Sequence, residues 1–175
     1  MQKLAIRGTI DGLTGGIGAI IGASLTLDPR IIVITGLVSA FTHSINHFFA
    51  YRREFEIELL DSTKRLEELS AINVDYIRSS PLYLKRKKEV QKKAFVAGFS
   101  SLIGSLILLL PFILLPLFHA MIISMVTAVI VVALLGLLLG KFTKEDQWRL
   151  AVEFSITFII SLFVALLVAG VWEVR

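Results

Sequence analysis

Five apolar segments, each about twenty residues long, constrain the fold of this chain more than any other feature. Their residue ranges are 5–27, 31–50, 94–117, 120–140 and 150–171. A helix of about 20 residues rises roughly 30 Å, which matches the hydrocarbon core of a bilayer. Only 18% of the residues are charged, against about a quarter in soluble domains. We therefore predict an all-α polytopic membrane protein with five transmembrane helices.

A single long polar segment, residues 51–93, interrupts this pattern. It divides the chain into residues 1–50 with transmembrane helices 1 and 2, residues 51–93, and residues 94–175 with transmembrane helices 3 to 5. Apolar residues recur at helical spacing in the polar segment, which predicts an amphipathic helix. These residues are Phe55, Leu59, Leu66 and Leu69.

That helix should continue from the second span without a break, because neither glycine nor proline intervenes. Residues 73–81 are expected to interrupt it, and Ser80 followed by Pro81 predicts the N-cap and first turn of a basic helix. The basic helix would lead directly into the third span. Together these patterns predict a cytoplasmic helical hairpin between helices 2 and 3.

The distribution of basic residues predicts the orientation in the membrane. If the chain crosses five times, 16 of its 18 lysines and arginines fall on one side. Since positively charged loops stay in the cytoplasm, we expect a cell-membrane protein with its N-terminus cytoplasmic and its C-terminus external. The net charge of +4 then reflects topology and does not indicate a nucleic-acid partner. The cluster from Lys85 to Lys93 predicts contact with anionic lipid headgroups.

Asp11 is an acidic residue inside the first apolar segment. A carboxylate at the centre of a membrane span costs about 2.5 to 3.5 kcal/mol, so it usually faces protein or water and marks a pathway. Thr14 and Gly18, three and seven residues later, share its helix face and would line that pathway. The alternative is a simple ion pair between Asp11 and Arg7, one turn earlier.

Glycines follow Asp11 at spacings typical of closely packed membrane helices. Gly12 with Gly16, and Gly18 with Gly22, form two such patterns. They could join two copies of the chain through helix 1, which would make a homodimer with two facing carboxylates. They could equally pack helix 1 against another helix of the same chain.

The second span carries His43 and His47 one turn apart, with Asn46 on the same side. Imidazoles at positions i and i+4 can share a metal ion, and the chain has no cysteine to supply a thiolate. Helical rise places these residues at nearly the same depth as Asp11, which predicts one site for all of them. Alternatively, His47 and Tyr51 are interfacial residues and His43 only hydrogen-bonds a neighbouring helix.

Acidic residues on the predicted amphipathic helix are a further candidate metal site. They include Glu54, Glu58, Glu67 and Glu68. Such a series is typical of a solvated helix face, but carboxylates on facing helices also hold divalent ions.

The sequence has no zinc-protease, serine-hydrolase or phosphate-loop motif, so we predict no enzymatic activity. We also expect no resident cofactor.

Three segments, RGTIDGLTGGIGAIIGAS, GLVSAFTHSINHFFAYRREFEIEL and GSLILLLPFILLP, occur in this order. With five spans, they resemble the vacuolar iron transporter family, in a divergent prokaryotic form. The resemblance implies a five-helix homodimer that exchanges protons for Fe²⁺ or Mn²⁺, and it assigns the family's first-helix aspartate to Asp11. Where family members often carry methionine and glutamate late in the second helix, this chain has Asn46 and His47.

The residues and the resemblance together predict an exporter of Fe²⁺ or Mn²⁺ from the cytosol, driven by proton antiport. In this interpretation the cytoplasmic glutamates gather cations, and Asp11 with the histidine pair binds the partly dehydrated ion. The alternative is a non-transporting membrane scaffold or sensor whose cytoplasmic hairpin binds a partner. In that case Asp11 pairs with Arg7, and the glycines only mediate assembly.

Overall fold

The computed structural model describes residues 1–70 and 74–173, and within these ranges it is helical with no strand. The helices are α1 Gln2–Ser24, α2 Pro29–Ser70, α3 Val74–Ser79, α4 Pro81–Leu114, α5 Leu117–Thr143 and α6 Gln147–Glu173. All of them except α3 are long and apolar enough to cross a membrane. The all-α prediction with five spans is therefore confirmed.

A tight turn joins α1 to α2 and makes them neighbours. Leu27 adopts a left-handed conformation with φ of 55°, which reverses the chain within a few residues. Asp28 Oδ1 then accepts a hydrogen bond from the backbone N–H of Arg30 at 2.8 Å. Pro29 begins α2, where a missing backbone N–H costs nothing.

Helix α2 is much longer than a membrane span. Its 42 residues correspond to about 63 Å, roughly twice the thickness of a hydrocarbon core. The prediction that the second span runs unbroken into the polar segment is confirmed. The polar half of α2 must therefore project well beyond the bilayer.

Helix α4 is likewise extended, and its beginning was predicted correctly. The Ser80 side chain accepts a hydrogen bond from the backbone N–H of Tyr83 at 3.2 Å, and Pro81 is the first residue of the helix.

The polar ends of α2 and α4 pack together. Leu59 and Val90 are buried, and Lys93 Nζ lies 5.1 Å from the centre of the Phe55 ring. That these ends lie in the cytoplasm stays a prediction. Of the expected break at residues 73–81, residue 73 lies outside the described part, and the short helix α3 occupies most of the rest.

Helices α1 and α4 pack so closely that their backbones touch. A Cβ atom added to Gly12 would overlap the backbone carbonyl of Ser101, and one added to Gly104 would overlap that of Thr9. The Ser105 hydroxyl donates a hydrogen bond to the Gly12 carbonyl at 2.9 Å. One half of the glycine pattern in the first span is thus used for packing within the chain, as small residues allow in lipid.

The other half of that pattern faces open space. A Cβ atom at Gly18 or at Gly22 would meet no atom within 4 Å. The opposite side of α1 carries Leu13, Ile17 and Ile21, which are almost fully buried in the main apolar core. Helix α1 is therefore the centre of the fold, in contact with α2, α4, α5 and α6, and it leaves one glycine stripe uncovered.

The α1–α4 contact predicts that Gly12→Ala destabilises the protein. The added methyl group meets backbone, which cannot move aside as a side chain can, so the two helices must separate. We expect a loss of about 1 to 3 kcal/mol, the usual cost of overpacking, measured as thermal unfolding in detergent. Gly16→Ala is the matched control, because its methyl group meets the end of the Leu108 side chain at 3.2 Å, which can move aside, and alanine favours the helix. Equal effects of both changes would contradict the packing role of Gly12.

Candidate functional site

Polar side chains of α1 and α2 gather where the two helices cross. His43 Nε2 lies 3.2 Å from the backbone carbonyl oxygen of Asp11, and His47 Nε2 lies 3.0 Å from His43 Nε2. The Tyr51 hydroxyl donates a hydrogen bond to Asp11 Oδ2 at 3.2 Å. Because the three α2 residues are spaced by four, they share one face of the helix. The structure thus brings Asp11 together with both histidines.

Gly15 makes room for this arrangement. It lies one turn after Asp11 on α1, and a Cβ atom at this position would be 2.5 Å from His43 Nε2. Any side chain here would push the imidazole away from α1. The absence of a side chain at Gly15 therefore lets His43 reach the Asp11 carbonyl.

The Nε2 atoms of the two imidazoles lie close enough to share one proton. A backbone carbonyl can only accept, so the contact with Asp11 is a hydrogen bond when His43 Nε2 carries the proton. His47 Nε2, which faces the same atom, is then the acceptor of the pair. Two nitrogens bound to one ion at about 2.0 to 2.1 Å from it are separated by roughly 3 Å. The spacing of 3.0 Å therefore suits a single divalent ion once the shared proton has left.

The Asp11 carboxylate lies at the other edge of the His47 ring. Its Oδ2 is 3.8 Å from His47 Nδ1. This nitrogen is buried and has no hydrogen-bond partner among the described residues. Metal-binding histidines commonly donate their second ring N–H to a carboxylate, which orients the ring. Asp11 is placed for that role, with Tyr51 holding its Oδ2.

The three side chains do not all point at one central position. Within residues 1–70 and 74–173, no group of three or more histidine, aspartate or glutamate side chains is arranged to hold a metal ion. The two Nε2 atoms face each other at 3.0 Å, whereas the carboxylate lies 3.8 Å from the opposite nitrogen of the His47 ring. The cluster is therefore a pair of imidazoles with a carboxylate beside one of them.

The other residues predicted for the transport pathway lie outside this cluster. The Thr14 hydroxyl donates to the Ile10 carbonyl of its own helix at 3.0 Å. Gly18 belongs to the open glycine stripe, and Asn46 is exposed on α2. These positions face the surroundings of the protein, not the histidine pair.

The alternative partner of Asp11, Arg7, does not form the expected ion pair. Arg7 is exposed. In the part of the chain that the structure describes, the ion pairs are those of His47 with Asp11 and of Arg52 with Glu56. Asp11 is therefore oriented toward α2 and its imidazoles.

The acidic residues of the polar segment are spread along α2. Glu54 and Glu58 are exposed one turn apart, whereas Glu67 and Glu68 lie at least nine residues further along, about 14 Å away on a helix. Glu58 borders a groove of about 290 Å³ between α2 and α4 that also holds Glu89 and two basic residues. One chain does not bring the four predicted glutamates together.

Tyr51 is the site residue that the sequence did not identify as such. The sequence pattern predicts only an interfacial aromatic residue at this position. The available signal was its spacing of four and eight residues from His47 and His43, which places all three on one helix face. Nothing in the spacing, however, shows that the hydroxyl meets Asp11.

Comparisons with known proteins agree with this membrane architecture. A sequence model described as the VIT family matches residues 54–170. An uncharacterized protein of Methanocaldococcus jannaschii is 28% identical over 148 residues, which cover 82% of this chain and 75% of that protein. VIT family proteins are membrane transporters of metal ions and not enzymes. The family match begins after the Asp11–histidine cluster, so the assignment of that cluster depends on its geometry.

The contact between Gly15 and His43 leads to a structural prediction. Gly15→Ala should break the hydrogen-bonded histidine pair while leaving the α1–α4 contact intact, because the new methyl group meets a movable ring. Nitrogen NMR of histidine-labelled protein would detect the loss of the shared proton between His43 and His47. The third histidine, exposed His119 on α5, is an internal reference. Unchanged signals from the pair would show that the ring does not depend on Gly15.

Proposed function

This chain belongs to the VIT family, and we propose that it exports a divalent transition metal, Fe²⁺ or Mn²⁺, from the cytosol in exchange for protons. The observation that supports this most directly is the pair of imidazoles held 3.0 Å apart beside a carboxylate. All three groups belong to helices long and apolar enough to span the membrane. Intramembrane ionisable residues of this kind are the usual components of ion and proton pathways.

In the proposed mechanism, the ion binds to the Nε2 atoms of His43 and His47. Binding requires a free lone pair on each Nε2. A cationic pair must therefore release its extra proton from between the two Nε2 atoms, and His43 keeps its remaining ring proton on Nδ1. His47 then carries its remaining proton on Nδ1, facing Asp11 Oδ2. Because protons and metal compete for the same nitrogens, protonation of the cluster from the far side would release the ion. Exchange of metal for protons follows from this competition.

The cytoplasmic ends of α2 and α4 supply the approach to the site. The carboxylates of α2 offer oxygen ligands that can hold a divalent cation briefly before it reaches the membrane. Glu54 lies closest along the helix to Tyr51, and Glu58, Glu67 and Glu68 continue outward. We propose that these residues collect ions and pass them toward Asp11.

A second copy of the chain would complete the pathway. The open stripe of Gly18 and Gly22 borders a groove of about 430 Å³ whose other wall is formed by Ala165 and Val168 of α6. Small residues let helix backbones approach closely in lipid. We propose a homodimer through helix 1 at this stripe, which would bring Thr14, Gly18 and Asn46 toward the space between the two copies.

The alternative function, a non-transporting scaffold or sensor, has less support. It assigns Asp11 to a structural ion pair with Arg7, and the described residues contain no such pair. It also does not explain why the buried His47 Nδ1, which has no hydrogen-bond partner among the described residues, lies 3.8 Å from Asp11 Oδ2. A metal site explains why this nitrogen faces a carboxylate.

Transport assays in proteoliposomes test the proposed function. Replacing both His43 and His47 by alanine should abolish uptake of Fe²⁺ and Mn²⁺ and the coupled proton flux. Asp11→Asn should reduce uptake by about 10- to 100-fold, the usual effect of losing a carboxylate behind a metal-binding histidine. His119→Ala is the control and should transport normally. Full metal-driven proton flux in the Asp11→Asn protein would show that this carboxylate has no role.

Disulfide trapping tests the proposed dimer. The natural chain has no cysteine, so a single Gly22→Cys substitution gives an unambiguous signal. Mild oxidation in membranes should produce a covalent dimer, because two copies of this position would lie within the few ångströms that a disulfide spans. Ile34→Cys, on an exposed part of α2, should remain monomeric. Equal trapping of both variants would mean random collision and would argue against this interface.

A further inference from the structure

The surface between α2 and α4 contains a groove of about 710 Å³ that the transport site does not use. Its lining includes three basic residues, Arg52, Lys88 and Lys92, and three apolar ones, Phe48, Phe95 and Val96. Basic side chains beside exposed aromatic side chains are unusual on a protein surface that contacts only water. The arrangement of the two kinds of residue along the helices indicates what the groove can hold.

The groove is polar at one end and apolar at the other. Helices α2 and α4 run antiparallel, since Ser44 donates to the Gly98 carbonyl at 2.8 Å while Phe55 contacts Lys93. Phe48 precedes Arg52 by one turn on α2, and Phe95 follows Lys92 by about one turn on α4. In both helices the apolar residue therefore lies on the side of the membrane span, and the basic residue lies on the side of the polar extension.

Two of the three cations at the basic end have no ion-pair partner among the described residues. Lys88 and Lys92 are exposed and take part in neither of the ion pairs found among the described residues. Arg52 donates its Nε–H to Glu56 at 2.9 Å, and this bond leaves the terminal nitrogens of the guanidinium available. Three basic side chains around one groove can bind a phosphate group better than separate surface lysines.

The apolar end continues as a flat aromatic surface. Phe95 is 62% exposed, and its ring stacks on that of Phe99 with an interplanar angle of 7° and centroids 5.9 Å apart. Phe99 lies one turn deeper in the span of α4. A surface of this kind, just below a cluster of cations, suits the first carbons of an acyl chain.

We propose that this groove binds one anionic phospholipid of the cytoplasmic leaflet. Its phosphate lies among Arg52, Lys88 and Lys92, and its acyl chains lie along Phe48, Phe95 and Phe99. A free phosphate would use only the polar end and would leave the aromatic surface uncovered. A zwitterionic lipid brings its own cation to the same place, so it gains less from three basic side chains. The site is separate from the histidine pair, and the proposal does not rest on the proposed transport function.

Binding of phosphatidylglycerol to the purified full-length chain in detergent tests this proposal, with native mass spectrometry as the readout. Lys88→Gln combined with Lys92→Gln should weaken binding by about 30-fold, at roughly fivefold for each basic residue. The matched control is Lys85→Gln with Lys87→Gln. It removes the same charge from the same exposed stretch without altering the groove, and it should bind the lipid nearly as well as the natural protein.

Further measurements separate the lipid from other anions. Phosphatidylcholine with the same acyl chains should bind much more weakly, excess inorganic phosphate should not displace the bound lipid, and Phe95→Ser should weaken binding. Equal losses in the two lysine double variants would reveal a diffuse attraction and overturn the proposal. Displacement by phosphate would also overturn it, as would equal binding of the two lipids. All four lysines are exposed, and an unchanged circular-dichroism melting curve confirms that each variant is folded.

Discussion

The direct contact between the backbones of α1 and α4 determines where everything else in this protein lies. Inside a bilayer, apolar side chains gain little by leaving lipid for protein, so helices associate through close packing and hydrogen bonds. Gly12 and Gly104 supply the close packing, and Ser105 adds a hydrogen bond to the Gly12 carbonyl. This contact sets the rotation of α1. It consequently directs Gly15 and Asp11 toward α2.

The polar cluster between α1 and α2 places a pair of imidazoles next to a carboxylate and a phenolic hydroxyl. The Nε2 atoms of the histidines are the nitrogen donors of the proposed metal site, whereas the Asp11 carboxylate and the Tyr51 hydroxyl lie near the far edge of the His47 ring. Nitrogen donors favour Fe²⁺ and the later transition metals over Mn²⁺, which prefers oxygen. Within the proposed pair of substrates, this chemistry favours Fe²⁺.

Much of the architecture could be predicted because it follows from patterns in the sequence. The five spans follow from the length and hydropathy of the apolar segments, the unbroken α2 from the lack of glycine and proline after Gly36, and the start of α4 from Ser80 and Pro81. Which glycines of α1 pack against another helix of the same chain could not be predicted. Gly12 with Gly16 and Gly18 with Gly22 have the same local spacing, and only the positions of the other helices show which pair is buried and which is open.

The site was only partly predictable for a similar reason. Helical rise places Asp11 at the depth of the histidines, but depth does not specify which ring nitrogen the carboxylate meets or whether Tyr51 reaches it. Those details depend on helix rotation, which small residues on the neighbouring helix determine. The family match, over residues 54–170, could not supply them either, because it begins beyond the cluster.

The length of α2 has a mechanical consequence. One continuous helix carries the imidazoles near its middle and the acidic residues in its polar half. After Gly36 it contains no glycine or proline, so this part bends little. From His47 to Ser70 this rod measures about 35 Å. A small tilt of α2 about its crossing with α1 would therefore displace the distal end of α2 much further than it displaces the histidines. A ligand or lipid that immobilises the polar half of α2 would also restrict motion at the α1–α2 crossing. The spacing of the His43 and His47 rings would then depend on binding far outside the bilayer.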